Sequence, residues 1–191
     1  ERINMSRLKE ISRESLNESQ KKVLKAIQDG PRGEIHLTGP FAAWVKAGKL
    51  GDNIQKLGAS LRYETELDEI AKEMVICCVG YHYKAKFEFS YHSKLAINAG
   101  LSEKIIQNLR EGAEPEFNCP KLDFAYRITN QLLQSHSVDD KAYTEGINEF
   151  GEQGMIELVS LVGYYCLVSL TLNIFEVPLD NGMEDPFPNK K

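Results

Sequence analysis

The chain has little that would build strands, membrane spans or metal frameworks. Runs of alternating apolar and polar residues are nearly absent, whereas apolar spacings near 3.6 recur with cap residues between them, which predicts an all-α fold. Net charge is −5 and no Lys/Arg-rich block occurs, which argues against a nucleic-acid or anionic-membrane partner. The four cysteines include no C-x-x-C pair. Cys77 and Cys78 are adjacent, and a vicinal disulfide on a helix would be strained. With Cys166 they sit in apolar helical runs and read as buried free thiols, a usage that fits a reducing cytoplasm. The N-terminus is charged and polar, without an apolar signal region. Residues 158–175 are long and mostly apolar. They also contain Ser160, Tyr164, Tyr165, Thr171 and Asn173 and lack basic flanks, so they read as a buried bundle helix rather than a membrane span.

What is present suits one soluble domain. At 191 residues, 42% hydrophobic and 27% charged, the chain can bury roughly 70% of its unfolded surface without a metal or disulfide staple. Residues 1–16 read as an arm, 17–177 as the helical domain and 178–191 as a second, Pro-interrupted arm. Asn17 and Gln20 form a capping-box pattern that opens a helix to about residue 28, with Val23, Leu24 and Ile27 inward. Gly30-Pro31-Arg32-Gly33 stops it, and Pro40 suits the start of a short helix through Trp44. The connecting loop is long for a simple link. It is either a crossover or a pocket wall with Arg32 or His36 available to an anion.

A helix over about 52–63 should place Ile54, Leu57 and Leu61 on one face. Thr65 and Asp68 suggest a second capping box. After the central pair, helices are expected at about 102–110, 121–135, 139–150 (with Tyr143 inward) and 152–175.

The chemistry concentrates in residues 67–100, two helices meeting near Tyr81-His82-Tyr83. On the first, Ile70, Met74, Cys77 and Cys78 form the inward stripe and Glu73 falls within it, while Glu69 and Lys72 fall to the side or outside. On the second, Glu88 and His92 are interleaved with Ala85, Phe89, Leu95 and Ala96, one turn apart. Ionisable groups on buried faces are costly unless paired or used. Carboxyls and an imidazole in one apolar site can move protons near neutral pH. The same three groups could also be a satisfied buried network, and for Glu88 and His92 alone an i, i+4 ion pair suffices. Two carboxylates and one imidazole are metal-ligand types, but dinuclear bundles use Glu-x-x-His on two helices, and here a single Glu-x-x-x-His occurs, so no metal is expected. His82 reads as a surface or capping histidine, or a peripheral member of the site.

Glu73-Met-Val-Ile, then Lys-Phe-Glu88-Phe-Ser-Tyr-His92, then Ala-Gly100-Leu-Ser, resembles the carboxymuconolactone decarboxylase and alkylhydroperoxidase-D superfamily, in its Glu-Trp-x-x-His branch. The Glu-to-His spacing of nineteen residues matches, and Phe89 stands where that branch usually has Trp. Gly30-Pro31-Arg32-Gly33, Leu61-Arg62, Phe150-Gly151-Glu152 and Gly163-Tyr164-Tyr165 extend the resemblance over roughly residues 20–177. Peroxidase members carry a C-x-x-C where this chain has Ala85 and Glu88, so the thiol cycle has no nucleophile and no resolving partner.

The resemblance therefore implies a cofactor-independent, carboxy-lyase-like enzyme acting on a small anionic lactone or keto acid. In it His92 is the acid or base, Glu88 its partner and Glu73 the second carboxyl, with Arg32, His36, His82 and Phe89 as candidate substrate contacts. It also implies a homo-oligomer (a dimer, trimer or hexamer) whose arms could wrap a neighbour. The alternatives are a peroxiredoxin-like protein with a non-standard thiol and a non-catalytic member of the family.

Overall fold

Asn17 starts the first helix by reciprocal capping: its side chain accepts from the Gln20 N–H at 3.0 Å, and Gln20 accepts from the Asn17 N–H at 3.1 Å. The computed structural model describes residues 6–188 and is all-helical among them. Helices α1 (Glu18–Gln28), α2 (Gly39–Lys46) and α3 (Lys49–Tyr63) pack on one another as an N-terminal layer. Helix α4 (Glu69–His82) is central and touches α5 (Lys86–Asn98), α6 (Glu103–Glu111), α7 (Pro120–Ser135) and α8 (Asp140–Ile174). The two groups join where α2 and α3 meet α8.

The cap signals explain most boundaries. Ser102 caps α6 and Gly112, at φ 75°, closes it, while Pro40 and Pro120 occupy first turns. The two expected C-terminal helices are both present within α8, separated by a kink at Gly151, whose φ of 68° and ψ of 177° only glycine adopts without strain.

Three expectations need correction. Leu57 is 50% exposed, and the buried face of α3 is Gly51, Gln55, Gly58 and Leu61. The glycines decide it: a Cβ at Gly51 would lie 1.7 Å from the Trp44 carbonyl oxygen, so α3 docks through its smallest residues. Asp68, not Thr65, is the N-cap position of α4, and the Thr65 hydroxyl instead donates to the Leu61 carbonyl. Tyr143 is exposed, because Ala142 and Gly146 face the α7 side where Met155 and Ile128 leave no room for a ring.

Every residue from 71 to 80 is buried, so α4 is enclosed on all faces. The apolar core surrounds it, and a smaller cluster of Leu16, Val23, Leu24, Ile27 and Val45 lies under α1. Helix α8 is the one described helix long and apolar enough to cross a membrane; 56% of its apolar window is buried within the fold.

The described parts of both arms lie against the chain's own helices; residues 1–5 and 189–191 are outside the described residues. Ser6 and Arg7 donate to the Phe175 carbonyl, and Phe187 inserts beside Tyr81 and Phe89. Lys86 pairs with Asp185 at 2.6 Å, fastening the C-terminal segment to α5.

Candidate active site

Helix periodicity brings three distant segments to one point. Glu73 lies on α4 with 0% exposure, and Glu88 and His92 lie on the facing side of α5 at 3% and 5%. Gly80 allows the approach, since a Cβ there would already press on the Phe89 backbone nitrogen at 3.1 Å. His92 Nδ1 meets Glu73 Oε2 at 2.5 Å, and His92 Nε2 meets Glu88 Oε1 at 3.1 Å. The imidazole is thus clasped between two carboxylates, one on each ring nitrogen.

Burial disfavours the imidazolium, but the Glu88 charge and the hydrogen bonds to Glu73 and Glu88 outweigh it and hold the His92 pKa above its ordinary value. A protonated ring satisfies both carboxylates at once, because only the imidazolium donates from both nitrogens.

Arg62, in the last turn of α3, completes the cluster. Its Nη2 lies 2.7 Å from Glu73 Oε1, an ion pair approached off the hydrogen-bond axis, and 3.2 Å from Glu69 Oε1. It also bonds the Tyr165 hydroxyl. Burial opposes its charge, yet Tyr165, Glu73 and Glu69 keep its pKa raised. Lys72 is buried rather than outside: it donates to the Arg62 carbonyl at 2.7 Å and pairs with Glu69 at 3.0 Å. Buried Glu73 and Glu88 therefore face Arg62 and His92, and Lys72 is paired with the half-exposed Glu69.

A cavity of about 290 Å³ opens beside this cluster. Glu88, His92 and Arg62 line it, whereas Glu73 lies behind His92. Aromatic side chains supply much of the wall, including Phe41, Trp44, Tyr63, Tyr91 and Tyr165. Arg32 reaches over the rings of Phe41 and Tyr63, at 5.4 and 5.8 Å from their centroids. No carboxylate among the described residues pairs with its guanidinium, and its Nε is buried without a hydrogen-bond partner. Gly58 makes room for it: a Cβ there would sit 2.1 Å from the Tyr164 hydroxyl and 2.8 Å from Arg32 Nη2.

The structure brings Glu73, Glu88 and His92 together and sets Arg32 and His36 in the cavity wall. His82 and Phe89 are not in that wall. His82 packs edge-on against Tyr83 at the end of α4, and burial, Lys84 and His136 lower its pKa. Phe89 is fully buried, packed against Phe187 and close to Gly80 of α4. Sequence reasoning missed Arg62, Lys72 and Tyr165 as members of the site. The available signal for Arg62 was its position four residues after Gly58 and next to Leu61, on the buried face of α3.

Among the described residues, no group of three His, Cys, Asp or Glu side chains is placed to hold a metal ion. Cys77 is wholly buried, and burial, Cys78, Glu73 and Glu88 push its pKa well up; burial pushes Cys78 up to about 12. Compared with known proteins, the chain matches no family model and no curated protein.

Proposed function

We propose that this protein is a cofactor-independent acid/base enzyme acting on a small anionic lactone or keto acid, like the carboxymuconolactone decarboxylases it resembles. One observation carries the reading: a histidine clasped by two carboxylates forms the wall of an aromatic cavity that also holds an arginine without an acidic partner. Arg32 holds the substrate's anionic group by charge-assisted hydrogen bonds. Decarboxylation breaks the carbon–carbon bond to the departing carboxylate, carbon dioxide leaves, and the electron pair remains as an enolate. The His92 imidazolium stabilises that charge and returns the proton to carbon through its cavity side, where Glu88 shares it. Glu73 stands behind the ring and fixes its orientation, itself held by Arg62 at the cavity wall.

The thiol-peroxidase alternative is weakened by Cys77 and Cys78, whose burial leaves little thiolate at neutral pH. Four unpaired cysteines favour a reducing cytoplasm as the place of action. An exposed apolar face on α8 (Ile156, Val159, Leu167, Leu170 and Ile174) favours a homo-oligomer.

The test is carbon dioxide release from a panel of carboxylated lactones and β-keto acids. For an accepted substrate, His92→Ala should lower kcat at least about 100-fold, and Arg32→Ala should act mainly on KM. Turnover unchanged in His92→Ala would remove the histidine from the mechanism.

A further inference from the structure

A second cavity, of about 730 Å³, lies between the N-terminal arm, the start of α2 and the segment after α8. It shares two wall residues with the first, Thr38 and Asp180, so the two spaces adjoin. Their linings differ. The first is rich in aromatic side chains and carries Arg32, Arg62 and His92 together with Glu34, Glu88 and Asp180. The second is walled by Leu8, Ile11, Leu37, Ala42, Val177 and Pro178, with Arg7, Lys9 and Glu10 on the arm and Asp180 at the border with the first.

The second cavity runs along the seam between the two apolar clusters of the fold. Leu8 and Val177 pack on the main one, Ile11 and Leu37 on the one beneath α1. The arm that roofs it is pinned by Arg7, whose backbone N–H donates to the Phe175 carbonyl at 2.7 Å and whose side chain pairs with Glu176. At about 290 Å³ the first cavity is at the lower limit of ligand pockets, which span about 300–1,000 Å³. It accommodates a head group; the second has room for much more.

We propose that the natural ligand is amphiphilic: its anionic head lies at Arg32 beside Glu88 and His92, and an unbranched apolar tail crosses Thr38 and Asp180 into the second cavity. This rests on the reading of Arg32 as the anion holder and adds the substrate class. The shared border at Thr38 and Asp180, with Arg32 free of a carboxylate partner in the first space and aliphatic side chains in the second, sets the order of head and tail. The arm of residues 6–11 is then part of the binding site, since without it the tail cavity loses a wall.

The experiment measures binding of straight-chain monocarboxylates from butanoate to decanoate to the full chain by calorimetry, below their micellar concentrations. The n-alcohols of equal length serve as controls. Affinity should rise with length, by up to about fourfold per methylene at full burial, and the alcohols should bind more weakly than the acids. Ala42→Phe, which fills the second cavity, should reduce decanoate to the affinity of butanoate, with an unchanged circular dichroism spectrum as the folding control. Arg32→Ala should weaken every acid and leave the alcohols as they are. Acids that bind through Arg32 with no dependence on length would overturn the tail and leave the anion site standing. Absence of binding at every length would overturn both. Alcohols binding as tightly as acids would reduce the second cavity to nonspecific apolar surface and overturn the proposal.

Discussion

Helices α4 and α8 invert the usual placement of side chains in opposite ways. Helix α4 is enclosed on every face and yet carries Lys72 and Glu73 among its ten consecutive buried residues. Helix α8 has no charged residue between Glu157 and Glu176 and yet shows a stripe of large aliphatic side chains to solvent, from Ile156 at 58% to Ile174 at 61% exposure. Charge inside is tolerable in α4 because Glu73 finds Arg62 in α3 and His92 in α5, and Lys72 finds Glu69 one turn earlier on α4. Apolar surface outside has no such internal remedy and must be covered from elsewhere. The first departure underlies the proposed chemistry, and the second the proposed self-association.

The sharpest way to break this contrast is to remove one partner from the α4 cluster. Arg62→Ala leaves Glu73 buried opposite a void and should lower unfolding free energy by about 3–5 kcal/mol in urea titration. A loss below about 0.5 kcal/mol would mean that the buried charges are not held as pairs.

The next effect is on pH dependence. The His92 pKa in the fold lies above its unfolded value of 6.5. Its contribution is therefore whole below pH 6.5 and is lost as pH rises through the folded pKa. Urea midpoints should fall from pH 6 to pH 9 in the parent protein, and His92→Gln should flatten that slope. A midpoint that climbs over the same range would show the ring to be neutral in the fold.

The smallest effect on the monomer is expected on α8. Ile156→Glu with Leu170→Lys should change chain stability by no more than about 0.5 kcal/mol per site, since both side chains already face outward. The same pair should shift light-scattering mass toward the monomer. An unchanged assembly state would separate the apolar stripe from self-association.

Much of the fold was legible because helix signals are local. Asn17 with Gln20, Ser102 and Gly112 terminate helices by hydrogen bonds within a few residues, and those positions read directly from the chain. The trio Glu73, Glu88 and His92 was legible for a related reason: each interrupts an apolar stripe, and the stripes of adjacent helices must meet. Arg62 and Lys72 were not, because a long cationic side chain on a helix ordinarily reaches solvent, and only the docking of α3 on α4 turns both inward. Leu57 misled in the same region. The close approach at Gly51 and Gly58 rotated α3 away from its most hydrophobic face, and such an approach depends on a neighbour, Trp44 or Tyr164, that periodicity does not reveal. Tail docking was equally hidden, since Phe187 finds Tyr81 and Phe89 about a hundred residues earlier in the chain.

Gly58 touches no candidate reacting group, yet the room for the Arg32 guanidinium and the Tyr164 hydroxyl is the volume its missing side chain leaves. Under the proposed role of Arg32, selectivity is written partly in negative: a single methyl at position 58 would redraw the reach of that guanidinium without altering any residue of the cavity wall. Divergence between close copies of this chain would need only that one carbon to change what they accept.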